Sequence, residues 1–205
     1  MKTSLFVPVL CLVLSLLGCN GGPRIVDNQY QTLGFPHYTV KDTFHYMGSP
    51  QLEDDSRCVG NDCNVFSSLN GKVTGDLFVL TSDGILQEFV VIQRQQAPSR
   101  YYWIALKGET FRFADKDYVE RIFTINDKAA GGGYTTFLES AGIGFDGHSM
   151  NARALVRNVS DANRIYISYG CSDGLVPEDV RNDPEAKKAF MRKRFAEAVY
   201  IPGDK

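Results

Sequence analysis

The stretch Gly142-Ile143-Gly144-Phe145-Asp146-Gly147-His148-Ser149 holds the densest set of side chains with chemistry to offer. Asp146 beside His148 supplies the parts of an acid–base pair. Ser149, or the more distant Cys171, supplies a nucleophile that such a base activates. The reaction class would be hydrolysis. The local pattern argues the other way, because Gly147-His148-Ser149-Met150-Asn151 departs from the Gly-x-Ser-x-Gly elbow at its last position. A strand-then-helix frame is missing too, and a glycine-rich turn accounts for the same residues. A hydrolase using His148 and Asp146 with Ser149 or Cys171 therefore stands as the alternative, and a non-catalytic role is the main expectation.

Other candidates give less. His37 and His45 stand eight positions apart, so one continuous strand would bring both to a single face. Two histidines make half a zinc site, and no metal and no cofactor is expected. Cys58-Val59-Gly60-Asn61-Asp62-Cys63 reads as a turn closed by a disulfide, with Gly60 and Asn61 supplying the bend. A metal site there would need more ligands than two cysteines. Gly131-Gly132-Gly133 lies ahead of a helical segment, as phosphate-cradling loops do. Both the Gly-x-Gly-x-x-Gly and the Gly-Lys-Ser/Thr spacings are absent, which leaves a connector. Tyr101, Tyr102 and Trp103 suit a ligand groove and a packed core equally.

The elements that must hold these groups are mostly strands. Residues 35–47 are rich in aromatic and β-branched types and read as a first strand; Gly48 to Asn64 is a long loop. Val73–Thr81, Ile85–Gln93 and Tyr101–Lys107 follow in close order, with Ser82-Asp83-Gly84 turning the first into the second. Bulk on both faces marks Tyr101–Lys107 as central. Tyr118–Asn126 puts Val119, Phe123 and Ile125 on one face and Glu120 and Thr124 on the other. Tyr134, Phe137, Leu138 and Ala141 have helical spacing, with Thr136 and Glu139 as a capping box and Gly142 as a stop. Met150–Arg157 and Arg164–Gly170 are two further strands. The last element is a helix capped by Asp183 and opened by Pro184, with Met191, Phe195, Ala198 and Val199 on one stripe. Lys187, Lys188, Arg192, Lys193 and Arg194 ring its remainder and are expected in water, although a tethered domain could also lay such a helix on anionic lipid. The whole is an α+β domain: a largely antiparallel, meander-like sheet with a short helix and a C-terminal amphipathic helix.

The N-terminus carries the most specific signal. After Lys2, Leu5 to Leu17 is an apolar run interrupted by Pro8. It is shorter than the roughly 20 residues a spanning helix needs and matches the apolar region of a signal peptide. It ends in Leu16-Leu17-Gly18-Cys19, which resembles the lipobox of bacterial lipoproteins. The resemblance implies that residues 1–18 are a lipoprotein signal peptide and that Cys19 is the lipidated first residue of the mature chain. It also implies a cell-envelope location with the membrane as partner through acyl chains such as palmitate. Asn20 stands where Asp retains members of that family at the inner membrane, which implies the outer membrane, facing the periplasm. Residues 19–34 are expected to be a lipidated flexible tether and 35–205 a single α+β domain.

Composition sets the remaining bounds. The chain has 205 residues, of which 43% are hydrophobic and 12% aromatic, enough to bury a core. With 22 basic against 24 acidic residues there is no electrostatic case for nucleic acid. An exported compartment lets a Cys58–Cys63 disulfide persist and leaves Cys171 as a buried thiol. The function expected is a membrane-anchored envelope module that binds a partner protein or a small ligand.

Overall fold

Tight turns built from left-handed residues dictate the architecture. The computed structural model describes residues 24–31, 37–50, 72–97, 102–125, 133–145 and 149–202. The leader, Cys19, the Cys58/Cys63 segment, Asp146 and His148 lie outside the described residues. The chain runs through β1 (Arg24–Val26), β2 (Gln29–Gln31), β3 (Tyr38–Val40), β4 (His45–Gly48), β5 (Lys72–Ser82), β6 (Ile85–Gln96), β7 (Thr110–Phe113) and β8 (Lys116–Ile125). A middle helix (Gly133–Ser140), β9 (Met150–Asn158) and β10 (Asn163–Ser172) follow. Two short helical turns (Asp173–Leu175 and Glu178–Arg181) lead to a C-terminal helix (Pro184–Ala198) and β11 (Val199–Tyr200). Asp27-Asn28, Asp83-Gly84 and Ala114-Asp115 all take positive φ and close the hairpins β1–β2, β5–β6 and β7–β8. Two-residue turns of that kind match the natural twist of the strands they join.

Seven strands form one antiparallel sheet in the order β4-β5-β6-β10-β9-β8-β7. Two meanders enter from opposite edges and meet at the long seam between β6 and β10. A four-stranded sheet, β1-β2-β3-β11, is separate. The coarse expectation of an antiparallel, meander-like sheet with a few helices holds, with strands dominating.

Because alternate residues of a strand point to opposite faces, the large sheet serves two cores. Phe78, Val90, Ile92, Leu155 and Ile167 share one core with Met191 and Phe195 of the C-terminal helix and with Tyr30, Tyr38 and Val40 of the small sheet. Leu77, Val79, Val91 and Met150 take the middle helix through Leu138, with Tyr134 and Phe137 alongside. Each large apolar side chain fully buried this way contributes about 1.5–3 kcal/mol. Asp183 caps the C-terminal helix as expected, its carboxylate accepting from the amides of Glu185 (2.9 Å) and Ala186 (3.1 Å). The middle helix ends at Gly142, φ +78°, where the Gly142 and Ile143 amides reach back to the Glu139 and Leu138 carbonyls. That helix begins at Gly133, so Thr136 sits inside it and does not cap it.

Several expectations change. In place of one strand over 35–47, the described part of that stretch holds two strands in different sheets, broken at Lys41–Phe44 where the Phe44 amide turns back to the Lys41 carbonyl. Residues 24–31, assigned to the tether, form a hairpin whose Tyr30 is fully buried, and Asn28 fastens it by donating to the Phe44 carbonyl at 2.8 Å. Residues 102–107 form no strand. The Tyr118–Asn126 stretch keeps the two faces read from its sequence, and the face of Glu120, with Tyr118, is the one turned into the helix-side core, whereas Phe123 is exposed.

Candidate functional site

Of the residues singled out for chemistry, Asp146, His148, Cys58 and Cys63 lie outside the described residues, and the others are placed as follows. His37 and His45 are both exposed, on either side of the Lys41–Phe44 break, so they share no strand face. Among the described residues no group of three or more His, Cys, Asp or Glu is placed to hold a metal. Ser149 is half-buried, and its carbonyl accepts the Asp173 amide at 2.8 Å. Cys171 lies on β10 in the helix-side core, fully buried, with Sγ 3.9 Å from the Met191 sulfur. It is a free thiol, and burial pushes it up to about 11. A thiol in that state supplies little nucleophile near neutral pH.

The ionisable side chains on the same sheet face are consumed by the C-terminal helix. Arg153, fully buried, donates through Nε to Glu120 at 2.6 Å while its guanidinium is sandwiched between Phe111 (4.3 Å) and Phe195 (4.5 Å). Arg192 reaches the same carboxylate from the helix with Nε 3.0 Å from both oxygens, and also Glu109 at 2.7 Å. Burial pushes the Glu120 carboxyl upward, but the hydrogen bonds and charges of Arg192 and Arg153 together outweigh it and hold it below its usual range. Lys188, one turn earlier, pairs with Glu109. Arg194 donates to Glu88 at 2.6 Å and to the Tyr169 hydroxyl at 3.2 Å, and Tyr169 itself donates to Glu88 at 2.5 Å. The basic ring expected in water is therefore largely turned onto the sheet: Lys188, Arg192 and Arg194 hold carboxylates, and Lys187 donates to Thr124.

A different arrangement occupies the β4–β5 end. Asp76 is 3% exposed and accepts from the Tyr46 hydroxyl (3.0 Å) and from Ser49. Burial dominates there and raises its carboxyl above the usual value; the two hydroxyls and the Arg94 charge offset only part of it.

The open chemistry lies elsewhere, at the end of the sheet where β8 and β9 leave their ladder. Residues 102–107 cross that end as an extended ribbon, fastened by the Trp103 amide to the Asp161 carbonyl (2.7 Å), by the Trp103 indole to the Ala162 carbonyl (3.1 Å), and by the Asn158 amide to the Ile104 carbonyl (2.9 Å). The Arg164 guanidinium lies over the Trp103 ring at 4.1 Å. Trp103 is thus a buried anchor, and its neighbours Tyr102 and Ile104 are 68% and 60% exposed. At Leu106 the surface carries a solvent-open groove of about 160 Å³. Leu106, Thr110, Asp117, Val119 and Val156 line it; Val119 and Val156 are paired in the ladder and share one face of the sheet, whereas the Arg157 guanidinium lies on the other face, with buried Tyr118. Gly108, at φ +143°, lets the chain pass Val119, where a Cβ would stand 2.7 Å from a methyl group. Among the described residues no carboxylate lies within ion-pair distance of Arg157; its guanidinium sits 5.9 Å from the Tyr118 ring centroid. Asp117 pairs with Arg112 at 3.6 Å, with both side chains mostly exposed.

The sequence reading passed over this cleft because its parts come from three segments that only the topology brings together. Its one local signal was the aromatic cluster at 101–103, of which Tyr101 lies outside the described residues. No protein-family model, curated protein or solved structure matches the chain.

Proposed function

We propose that the chain is a lipid-anchored bacterial envelope protein whose single domain binds a ligand without transforming it. The observation that carries the location is Leu16-Leu17-Gly18-Cys19 directly behind an apolar leader. Two or more acyl chains on Cys19 give effectively stable residence, at about 0.8 kcal/mol per buried CH₂. The hairpin at 24–31 belongs to the folded body. Binding is favoured over catalysis by the fate of the reactive groups: Cys171 is sealed and its thiol raised, and Glu88 and Glu120 are neutralised by arginines. The groove lined by Leu106, Thr110 and Asp117, by contrast, opens to solvent.

The test is metabolic labelling with a palmitate analogue, followed by membrane fractionation. Wild type should carry the label on an N-terminal peptide beginning at Cys19 and sediment with membranes. Cys19→Ser should lose the label and be released. A Cys19→Ser protein that still sediments, or a mature chain starting elsewhere, would overturn the reading.

A further inference from the structure

We infer that Tyr102 and Ile104, carried on the 102–107 ribbon, make a second contact with the bilayer, entering its interfacial layer while the lipid on Cys19 holds the chain. The inference rests on the lipoprotein reading and deepens it, because it says which end of the domain lies on the lipid. Tyr102 and Ile104 are the two most exposed large apolar side chains among the described residues. Their exposure is built in. Trp103 between them is buried, fastened through its amide to the Asp161 carbonyl and through its indole to the Ala162 carbonyl, with Arg164 over its ring. The Ile104 carbonyl is tied in turn by the Asn158 amide. A ribbon pinned in this way holds both flanking side chains out, and little further ordering is lost when they reach lipid. Tyrosine suits that layer, since its ring turns an apolar body to the acyl boundary and leaves the hydroxyl in water.

The point where the chain enters the body favours lipid over another occupant. Asn28, at the β1–β2 turn, donates to the carbonyl of Phe44, next to His45, which pairs with Val79 near the Asp83-Gly84 end of β5. Tyr30, further along β2, pairs with Tyr38, whose hydroxyl meets that of Tyr118 at 2.8 Å near the start of β8. β2 therefore runs towards the end of the large sheet where β8 starts and β9 stops, and Asn158 joins that end to the ribbon. β1 is antiparallel to β2 with Arg24 opposite Gln31, so its first residue lies at the same end. From Cys19 to Arg24 the chain can span at most about 18 Å, whatever its path. A lipid on Cys19 thus brings this end of the body against the bilayer. Lys107 and Asp161 are exposed here with opposite charges, so the contact is apolar insertion and not attraction to anionic headgroups. Two contacts fix an orientation that a tether alone leaves free, and they turn the Asp83-Gly84 end away from the lipid.

Trp103 is the one tryptophan of the chain and serves as a probe already in place. The experiment reconstitutes the full acylated protein into phosphatidylcholine vesicles, either plain or brominated near the top of the acyl chains, and reads tryptophan emission, which bromine quenches at short range. Loss of emission on the brominated vesicles is expected, because interfacial segments settle about 5–10 Å into the boundary between headgroups and acyl chains. Tyr102→Ser combined with Ile104→Ser alters two exposed positions at little cost to the fold. That variant should keep its label at Cys19 and regain the emission seen on plain vesicles. Equal emission of wild type on the two kinds of vesicle overturns the inference and gives the ribbon to water, to a protein partner or to a second copy. Undiminished quenching in the folded double variant overturns it as well, since the tether alone then brings the ribbon near. The wild-type comparison uses unaltered protein, so it stands even if the double variant fails to fold. Palmitate labelling separates the two readings: label without quenching removes the ribbon contact and leaves the lipoprotein reading standing, and absence of label removes both.

Discussion

Glu120 on β8 and Asp76 on β5 stand on the same face of the same sheet, both nearly closed to solvent, at 8% and 3% exposure. Their surroundings are opposite. Glu120 lies under the C-terminal helix and is gripped by Arg153 from β9 and Arg192 from the helix. Asp76 lies towards β4, where Tyr46 and Ser49 offer hydroxyls, and the charge of Arg94 also favours its ionised form. One carboxyl is held below its usual range and the other raised above it. The difference teaches that burial alone does not decide the state of an acid: the cover that arrives over it does. Between the two, Glu88 has a mixed shell, a tyrosine hydroxyl and an arginine.

The largest effect should come from breaking the gripped end. Glu120→Leu leaves Arg153 charged and fully buried with its main partner gone, and is expected to cost about 3–5 kcal/mol in urea unfolding. Glu120→Leu with Arg153→Met removes both charges and should recover at least half of that loss, because well-packed apolar pairs of similar volume are often as stable as the ions they replace. A double variant no better than the single would mean that the Arg153 guanidinium is held chiefly by Phe111 and Phe195, and the contrast with Asp76 would lose its electrostatic basis.

At the other end the effect should be smaller. Asp76→Ala strips two hydroxyls of their acceptor and is expected to cost about 1–2 kcal/mol, whereas Asp76→Asn keeps an acceptor oxygen and should stay within about 1 kcal/mol of wild type at neutral pH. The same pair of sites shows what was legible in the sequence. Elements with strong turn or cap chemistry could be read directly, as at Asp83-Gly84 and Asp183-Pro184. The β7–β8 hairpin could not, since Ala114-Asp115 adopts a left-handed turn without glycine or asparagine to announce it. Residues 101–107 have the alternating bulk of a strand, yet Trp103 finds its backbone partner in the Asp161 carbonyl at a turn. Spacing within Tyr118–Asn126 separates Glu120 from Val119 and Phe123 but does not say which face is covered. Glu120 is inward because Arg192, 72 residues away in the chain, arrives to meet it. Such pairings are set by which element covers which face, and spacing within one strand does not encode that. The candidate cleft was hidden for the same reason.

The smallest expected effect, and the one that addresses the contrast most directly, is its pH dependence. Glu120 has a lower pKa folded than unfolded. The unfolded chain then binds the proton more readily, so the contribution of Glu120 is present above the ordinary value of 4.5 and fades as pH falls through the depressed one. Asp76 has a higher pKa folded than unfolded, its ordinary value being 3.8. Here the folded chain holds the proton more tightly, so stability is lost as pH rises from the ordinary value through the raised one. Unfolding free energies of wild type, Glu120→Gln and Asp76→Asn, measured in urea across acidic to neutral pH, separate the two. The deficit of Glu120→Gln should shrink on acidification. Asp76→Asn should gain on wild type as pH climbs above 3.8 and then level off. Parallel profiles for both substitutions would show that hydroxyls hold Asp76 ionised as well as arginines hold Glu120, and that the two ends of the sheet solve burial in the same way.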